Sequence, residues 1–190
     1  MKRIVIFASG SGTNAENLIK FFQNRDNASV ILVLSNNPYA KVLERAKNLN
    51  VSALSFNKIA FTETNDVLNL LKASKPDLIV LAGFLWKIPE NILNEFPNRI
   101  INIHPALLPK YGGKGMYGMH VHDAVVKNNE IESGITIHYV NAQYDKGAII
   151  FQAKCDVNSK DTANTVAEKI HTLEMEHLPK VIESLLLEHE

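Results

Sequence analysis

A chain of 190 residues with 46% apolar side chains has enough material for one substantial hydrophobic core. Twenty Lys and Arg offset twenty Asp and Glu, so no net field draws nucleic acid or an anionic membrane, and an anionic ligand must be held by a local site. One cysteine, Cys155, excludes an internal disulfide framework and a thiolate cluster within one chain, while the start MKRIVIFASG is too short in apolar residues for a secretion signal or a membrane span, so a cytoplasmic protein is expected.

Short β-branched runs alternate with helical patterns along the first hundred residues. Ile4 to Ala8 is a predicted buried strand and Ala15 to Gln23 a helix; Ser29 to Leu34 is the next strand, followed by a helix from Ala40 to Leu49. A strand over Val51 to Phe56, a helix over Glu63 to Ser74, a strand over Asp77 to Gly83, a short helix near Pro89 to Glu95 and a strand from Arg99 to His104 continue the alternation. Strands separated by helices imply right-handed crossovers and a mostly parallel sheet covered on both faces, an α/β doubly wound fold. After His104 the pattern changes. A loop rich in Gly and Lys leads to a predicted helix over Val121 to Lys127, and the strands Gly134 to Val140 and Gly147 to Val157 are spaced for an antiparallel pair. A long amphipathic segment, Thr162 to Leu187, closes the chain, with Pro179 marking a kink or a break. No internal repeat or linker divides the sequence, so residues 1–190 are expected to form a single domain.

In an open parallel sheet, ligands collect outside the carboxyl ends of the strands. ASGSGTNAENL, Ala8 to Leu18, lies at such an end, and Thr13 with Glu16 has capping-box spacing for the helix that follows. Free amides there suit a phosphate, although neither dinucleotide nor P-loop spacing is present, and an ordinary strand-to-helix turn explains the segment equally well. IINIHP at 100–105 poses a sharper question, because strand alternation points Asn102 and His104 to one side and Ile101 and Ile103 to the other. The two polar groups either satisfy loop carbonyls or meet one reacting group at the cleft mouth. Asp145, in the turn between the two late strands, favours the second reading, since a carboxylate beside the imidazole would raise its pKa. His104, His120, His122 and His138 raise a metal alternative, but HVH needs a third ligand that the surrounding loop does not supply in any recognisable framework. Cys155 among apolar strand residues is expected in the core, and Trp86 either in the core or against a flat heterocycle.

GSGTN after the first strand, LAGF at 81–84, NIHPALLPKYGGKG at 102–115, GITIHYV at 134–140 and DKGAII at 145–150 together resemble the phosphoribosylglycinamide formyltransferase family, from Ile4 to about Pro179. The resemblance implies the formyltransferase fold, and transfer of a formyl group from 10-formyltetrahydrofolate to glycinamide ribonucleotide in purine synthesis. It implies a phosphate-binding half over roughly residues 1–100 and a folate-binding, catalytic half over roughly 101–190. Gly12, Thr13 and Asn14 would hold the substrate phosphate, and Glu174 the ribose, with Glu176 a rival in a loose local motif. Asn102, His104 and Asp145 would form the catalytic group, His104 giving the proton and Asp145 raising its pKa. Leu85, Trp86, Lys87 and Ile88, together with Asn102 and the turn Asn141, Ala142, Gln143, Tyr144 and Asp145, would surround the folate. No metal and no nucleic acid is implied, and the chain is expected to act as a monomer or homodimer. No arginine lies between Val51 and Ser74, where some members have one near the phosphate.

The chemistry agrees with that resemblance. A free amine is already a nucleophile, so direct formyl transfer needs no Ser or Cys intermediate. The related tRNA formyltransferases and formyltetrahydrofolate hydrolases would need additional domains, and a binding module without turnover would not need Asn102, His104 and Asp145 together.

Overall fold

β1 (Lys2–Phe7) sets the layering of the molecule. Ile4 and Ile6 alternate with Val5 and Phe7, all four fully buried, and the two pairs enter separate apolar clusters on opposite faces. A strand apolar on both sides must be covered on both sides.

The structure, a computed structural model, describes residues 1–188. After β1 come α1 (Thr13–Gln23), β2 (Ala28–Ser35), α2 (Lys41–Asn48), β3 (Ser52–Ser55), α3 (Lys58–Thr62), α4 (Asp66–Ser74), β4 (Leu78–Leu81) and α5 (Glu90–Glu95). Next come β5 (Ile100–His104), α6 (Met119–Lys127), β6 (Glu132–Tyr139), β7 (Ile149–Asp156) and α7 (Ala163–Glu188). The seven strands form one sheet in the order β3-β2-β1-β4-β5-β6-β7. The pairs from β3 to β5 are parallel, whereas β5 with β6 and β6 with β7 are antiparallel. Apolar residues of α1, α2, α6 and α7 cover one face, and those of α3, α4 and α5 the other.

The doubly wound sheet with its late antiparallel strands and long final helix matches the architecture expected from the sequence. Two details differ. The helix expected from Glu63 starts at Asp66, and a separate short helix precedes it, opened by Asn57, whose side-chain oxygen accepts from the Ala60 amide at 2.9 Å. That asparagine is an N-cap signal.

The second difference lies at Pro179. It neither breaks nor ends α7, which runs from Ala163 to Glu188. Proline lacks the N–H that would bond the Met175 carbonyl one turn earlier. Asn17 of α1 donates its side-chain amide to that carbonyl at 2.8 Å, so the orphaned acceptor becomes a contact between two helices. Asn14, one turn earlier on the same face of α1, donates to Glu174 at 2.9 Å.

The Asn17 bond carries a measurable share of stability. Asn17→Ala should lower the free energy of unfolding by about 1 kcal/mol, because the half-buried Met175 carbonyl loses its partner. Urea denaturation measures this, and an unchanged midpoint would mean that water replaces the side chain.

Candidate active site

The chain winds outward from β1 through β2 to β3, and the connection after β3 then crosses back to place β4 on the other side of β1. A doubly wound sheet opens a crevice at such a switch point. Here a cavity of about 640 Å³ lies against the loops after β1, β4 and β5, the turn after β6 and one face of α7. The loops after β1 and β4 are tied by the Ser9 amide, which donates to the Gly83 carbonyl at 3.0 Å.

At one end of the cavity is the start of α1. Gly12, the residue before the helix, adopts φ 75°, and a Cβ there would sit 2.3 Å from a methyl carbon of Val42. Only glycine allows both that backbone and the approach of α2. The expected capping box does not form: no side chain caps α1, and Glu16 instead pairs with Lys20 and with Arg45 of α2. Arg45 also donates to the Ser11 carbonyl at 2.9 Å, buttressing the loop from behind. Gly12, Thr13 and Asn14 line the cavity, as expected, and the first amides of a helix have no intrahelical acceptor.

The facing wall is α7. Ala167, Ile170, His171 and Glu174 line the cavity at helical spacing. His171 approaches the Thr13 hydroxyl at 3.1 Å. The sequence reading missed it, although its place three residues before Glu174 on the same helical face was the available signal. Glu174 rather than Glu176 reaches the cavity; Glu176 is exposed and pairs with Lys180. Burial pushes the Glu174 carboxyl above its ordinary range, against the opposing pull of the Asn14 bond and the His171 charge.

At the other end, Leu85, Trp86, Lys87 and Ile88 line one wall and Asn141, Gln143, Tyr144 and Asp145 another. Ala142, expected with them, does not reach the cavity. Trp86 does both jobs its position allowed: it lines the cavity and stands against Phe56 and Phe61, with ring centroids 6.1 and 5.9 Å away. The turn is tight. A Cβ on Gly147 would overlap the Tyr139 carbonyl at 1.6 Å, so the DKG glycine lets the turn fold down onto β6.

Asn102, His104 and Asp145 meet at the centre. Ile101 and Ile103 enter the first apolar cluster, which leaves Asn102 and His104 together on the opposite face. Asp145, at φ 52°, directs its carboxylate inward. One oxygen lies 3.7 Å from His104 Nδ1 and accepts from the Gly113 amide at 2.8 Å; the other lies 3.5 Å from His138 Nε2. The three side chains are 5%, 12% and 3% exposed for His104, Asp145 and His138.

Hydrogen bonds fix the protons. His104 Nε2 is 2.7 Å from the Tyr111 carbonyl, an acceptor only, so that nitrogen carries hydrogen and Nδ1 is left to exchange a proton. His138 Nδ1 stands 2.8 Å from its neighbour's carbonyl and is likewise the protonated one. Its Nε2 then accepts from the Asn102 side-chain nitrogen at 3.1 Å, which orients the amide and leaves its second N–H uncommitted. His138 lies directly across the β5–β6 ladder from Asn102, a pairing that single-strand alternation could not reveal.

The expectation that Asp145 raises the His104 pKa is right about the sign of that interaction and wrong about the balance. Burial outweighs both the Asp145 charge and the Tyr111 carbonyl, with His138 adding to the downward pull, so His104 lies below the ordinary imidazole value and is neutral at rest at neutral pH. For Asp145, burial is the largest single influence and pushes upward. Interactions with His138 and His104 and the Gly113 amide together outweigh it, and the carboxyl ends below its usual range.

His120 and His122 do not share a site. His120 is exposed against the Tyr117 ring, while His122 is buried at the cavity, where burial lowers its pKa. Among the described residues, no group of three or more His, Cys, Asp or Glu stands close enough to hold a metal ion. Cys155 is half-buried in β7, and burial pushes its thiol up.

This fold and cleft define a class. The formyl transferase family model matches residues 2–182, and the chain belongs to that family. Within it, the chain is a relative of the phosphoribosylglycinamide formyltransferases. It is 35% identical over 193 residues to the Bacillus subtilis protein of that name, covering 98% of this chain and 95% of the relative. With the chloroplastic Arabidopsis thaliana protein the identity is 37% over 176 residues, covering 89% of this chain and 60% of that longer one. Among solved structures, glycinamide ribonucleotide transformylase 1 from Geobacillus kaustophilus superposes with a TM-score of 0.89 at 36% identity, covering 98% of this chain and 99% of that one.

Both buried groups are held below their unfolded values, so each contributes stability above its ordinary pKa. That contribution is lost as pH falls, through the imidazole range for His104 and then through the carboxylate range for Asp145. Removing the Asp145 charge should move His104 further down. In Asp145→Asn, NMR titration of the His104 ring should give a midpoint below that of the unaltered protein; an unchanged or higher midpoint would mean that the carboxylate does not act on this ring.

Proposed function

We propose that this protein transfers the formyl group of 10-formyltetrahydrofolate to the amine of glycinamide ribonucleotide, the activity named for its relatives. The observation that carries the reading is the meeting of Asn102, His104 and Asp145 midway along a cleft whose two ends have different chemistry. The end formed by Gly12, Thr13, Asn14, His171 and Glu174 offers amides, a hydroxyl, an imidazole and a carboxylate, which suit a phosphorylated ribose. The other end, around Trp86, Ile88 and Tyr144, offers apolar and aromatic walls for a flat heterocycle. Asp145 and Asn102 lie where the two substrates would touch.

In this reading the amine attacks the formyl carbon directly. The carbonyl oxygen becomes an oxyanion, and the second N–H of Asn102, held in place by His138, donates to it. The attacking nitrogen gains positive charge and gives a proton to neutral His104 at Nδ1. The imidazolium so formed faces Asp145, whose carboxylate stabilises it as it appears. His104 then returns the proton to the folate nitrogen as its bond to the formyl carbon breaks. The proton balance closes without any enzyme-bound intermediate. A neutral resting imidazole suits this better than the charged donor expected at first, because the proton arrives from the substrate amine.

The same reading assigns the phosphate and ribose to the N-terminal half with α7, the folate to the β4 loop and the β6–β7 turn, and no metal to the reaction. Monomer or homodimer is the corresponding assembly.

Incubation with 10-formyltetrahydrofolate and glycinamide ribonucleotide should produce tetrahydrofolate and formylated nucleotide in equal amounts, resolved by chromatography. Formate release independent of the nucleotide would contradict the assignment. His104→Ala should lower kcat by about 10²–10³-fold, the range seen when one preorganised group is removed from an acyl-transfer site, with KM for both substrates little changed.

A further inference from the structure

The imidazole of His104 rests on a backbone carbonyl that belongs to an unusual residue. Tyr111 adopts φ 54° without being glycine, a left-handed conformation that costs about 1–2 kcal/mol and persists only where surrounding contacts hold it. Those contacts come from its own side chain. The phenol donates to Glu130 at 2.9 Å and accepts from the Asn128 side-chain amide at 2.9 Å. Lys110, next to it in the loop, ties to both oxygens of the same carboxylate at 3.0 and 3.1 Å. Asn128 and Glu130 follow directly on the end of α6, so the ring is pinned to the frame of the fold while its carbonyl faces the catalytic centre. The tyrosine also packs against the main apolar cluster, which removes freedom from the ring.

The carbonyl has a specific effect. It holds the hydrogen on His104 Nε2 at 2.7 Å and so directs the lone pair to Nδ1, the nitrogen beside Asp145. Were the loop to relax toward ordinary backbone angles, that carbonyl would turn away and the ring would be free to carry its hydrogen on either nitrogen. We propose that Tyr111 is a positioning residue: its phenol, anchored on Glu130 and Asn128, holds the strained backbone whose carbonyl selects the reactive tautomer of His104. Its catalytic consequence rests on the role given to His104 above; the tautomer selection does not.

Tyr111→Phe keeps the carbonyl and the ring and removes only the anchor. Histidine labelled with ¹⁵N in both ring nitrogens distinguishes the forms, since a protonated and a bare ring nitrogen resonate far apart. The unaltered protein should show His104 with hydrogen on Nε2 alone. In Tyr111→Phe the two nitrogens should move toward each other as tautomers mix, and kcat should fall about 5–20-fold with KM for both substrates within twofold. Glu130→Ala, which removes the anchor from the other side and leaves Tyr111 intact, should act in the same direction and serves if the first variant does not fold. An unchanged His104 tautomer in a folded variant overturns the proposal, whatever the rate. A mixed tautomer with unchanged kcat leaves tautomer selection standing and instead removes His104 from the catalytic step.

Discussion

A single carboxylate, Asp145, sits almost out of water between two histidines at the centre of the cleft. Asp145 is exposed by only 12% of its side chain, and such a charge is costly unless every lone pair finds a donor. The Gly113 amide donates to one oxygen, and the rings of His104 and His138 stand 3.7 and 3.5 Å from the carboxylate. These groups hold it ionised, and in return it offers a fixed negative charge to an imidazole that burial keeps neutral. The opposition is useful. A ring that is neutral at rest can take a proton, and a carboxylate already in place makes the resulting cation less costly than burial alone would allow.

The fold exists, from this point of view, to bring a turn far along the chain to the end of a strand. β5 supplies Asn102 and His104, and the antiparallel β6 returns His138 directly beside Asn102. The β6–β7 turn then folds over the strand ends because Gly147 permits contact with the Tyr139 carbonyl. On the other side, α7 crosses the start of α1 and is tied there by two asparagines one turn apart, Asn14 on Glu174 and Asn17 on the carbonyl that Pro179 leaves free. The proline, expected as a kink or a break in the helix, is thus part of a docking contact that sets Glu174 against the start of α1 at one end of the cleft.

Much of this was legible in the sequence, and what was legible was local. The unbroken apolar run from Ile4 to Ala8 marked a buried strand, and period two in Ile100–His104 put Asn102 and His104 on a shared side, because both are properties of the strand itself. The change of spacing after His104 announced the antiparallel strands. What escaped depends on partners distant in sequence. The capping box at Thr13 and Glu16 lost to Arg45 of another helix, which captures Glu16. His171 and His138 became site residues only through a helix face and a ladder register. The protonation of His104 was misjudged because charge proximity can be guessed from a turn, whereas the depth of burial that outweighs it cannot.

The coupling between Asp145 and His104 is open to direct measurement through a double-mutant cycle in kcat for formyl transfer, using His104→Ala, Asp145→Asn and the two combined. If the carboxylate acts through the imidazole, the combined variant should be about as slow as His104→Ala alone, since the second change removes a partner from a ring already gone. Losses that multiply would contradict the account, because Asp145 would then be serving the reaction by a route that does not pass through His104.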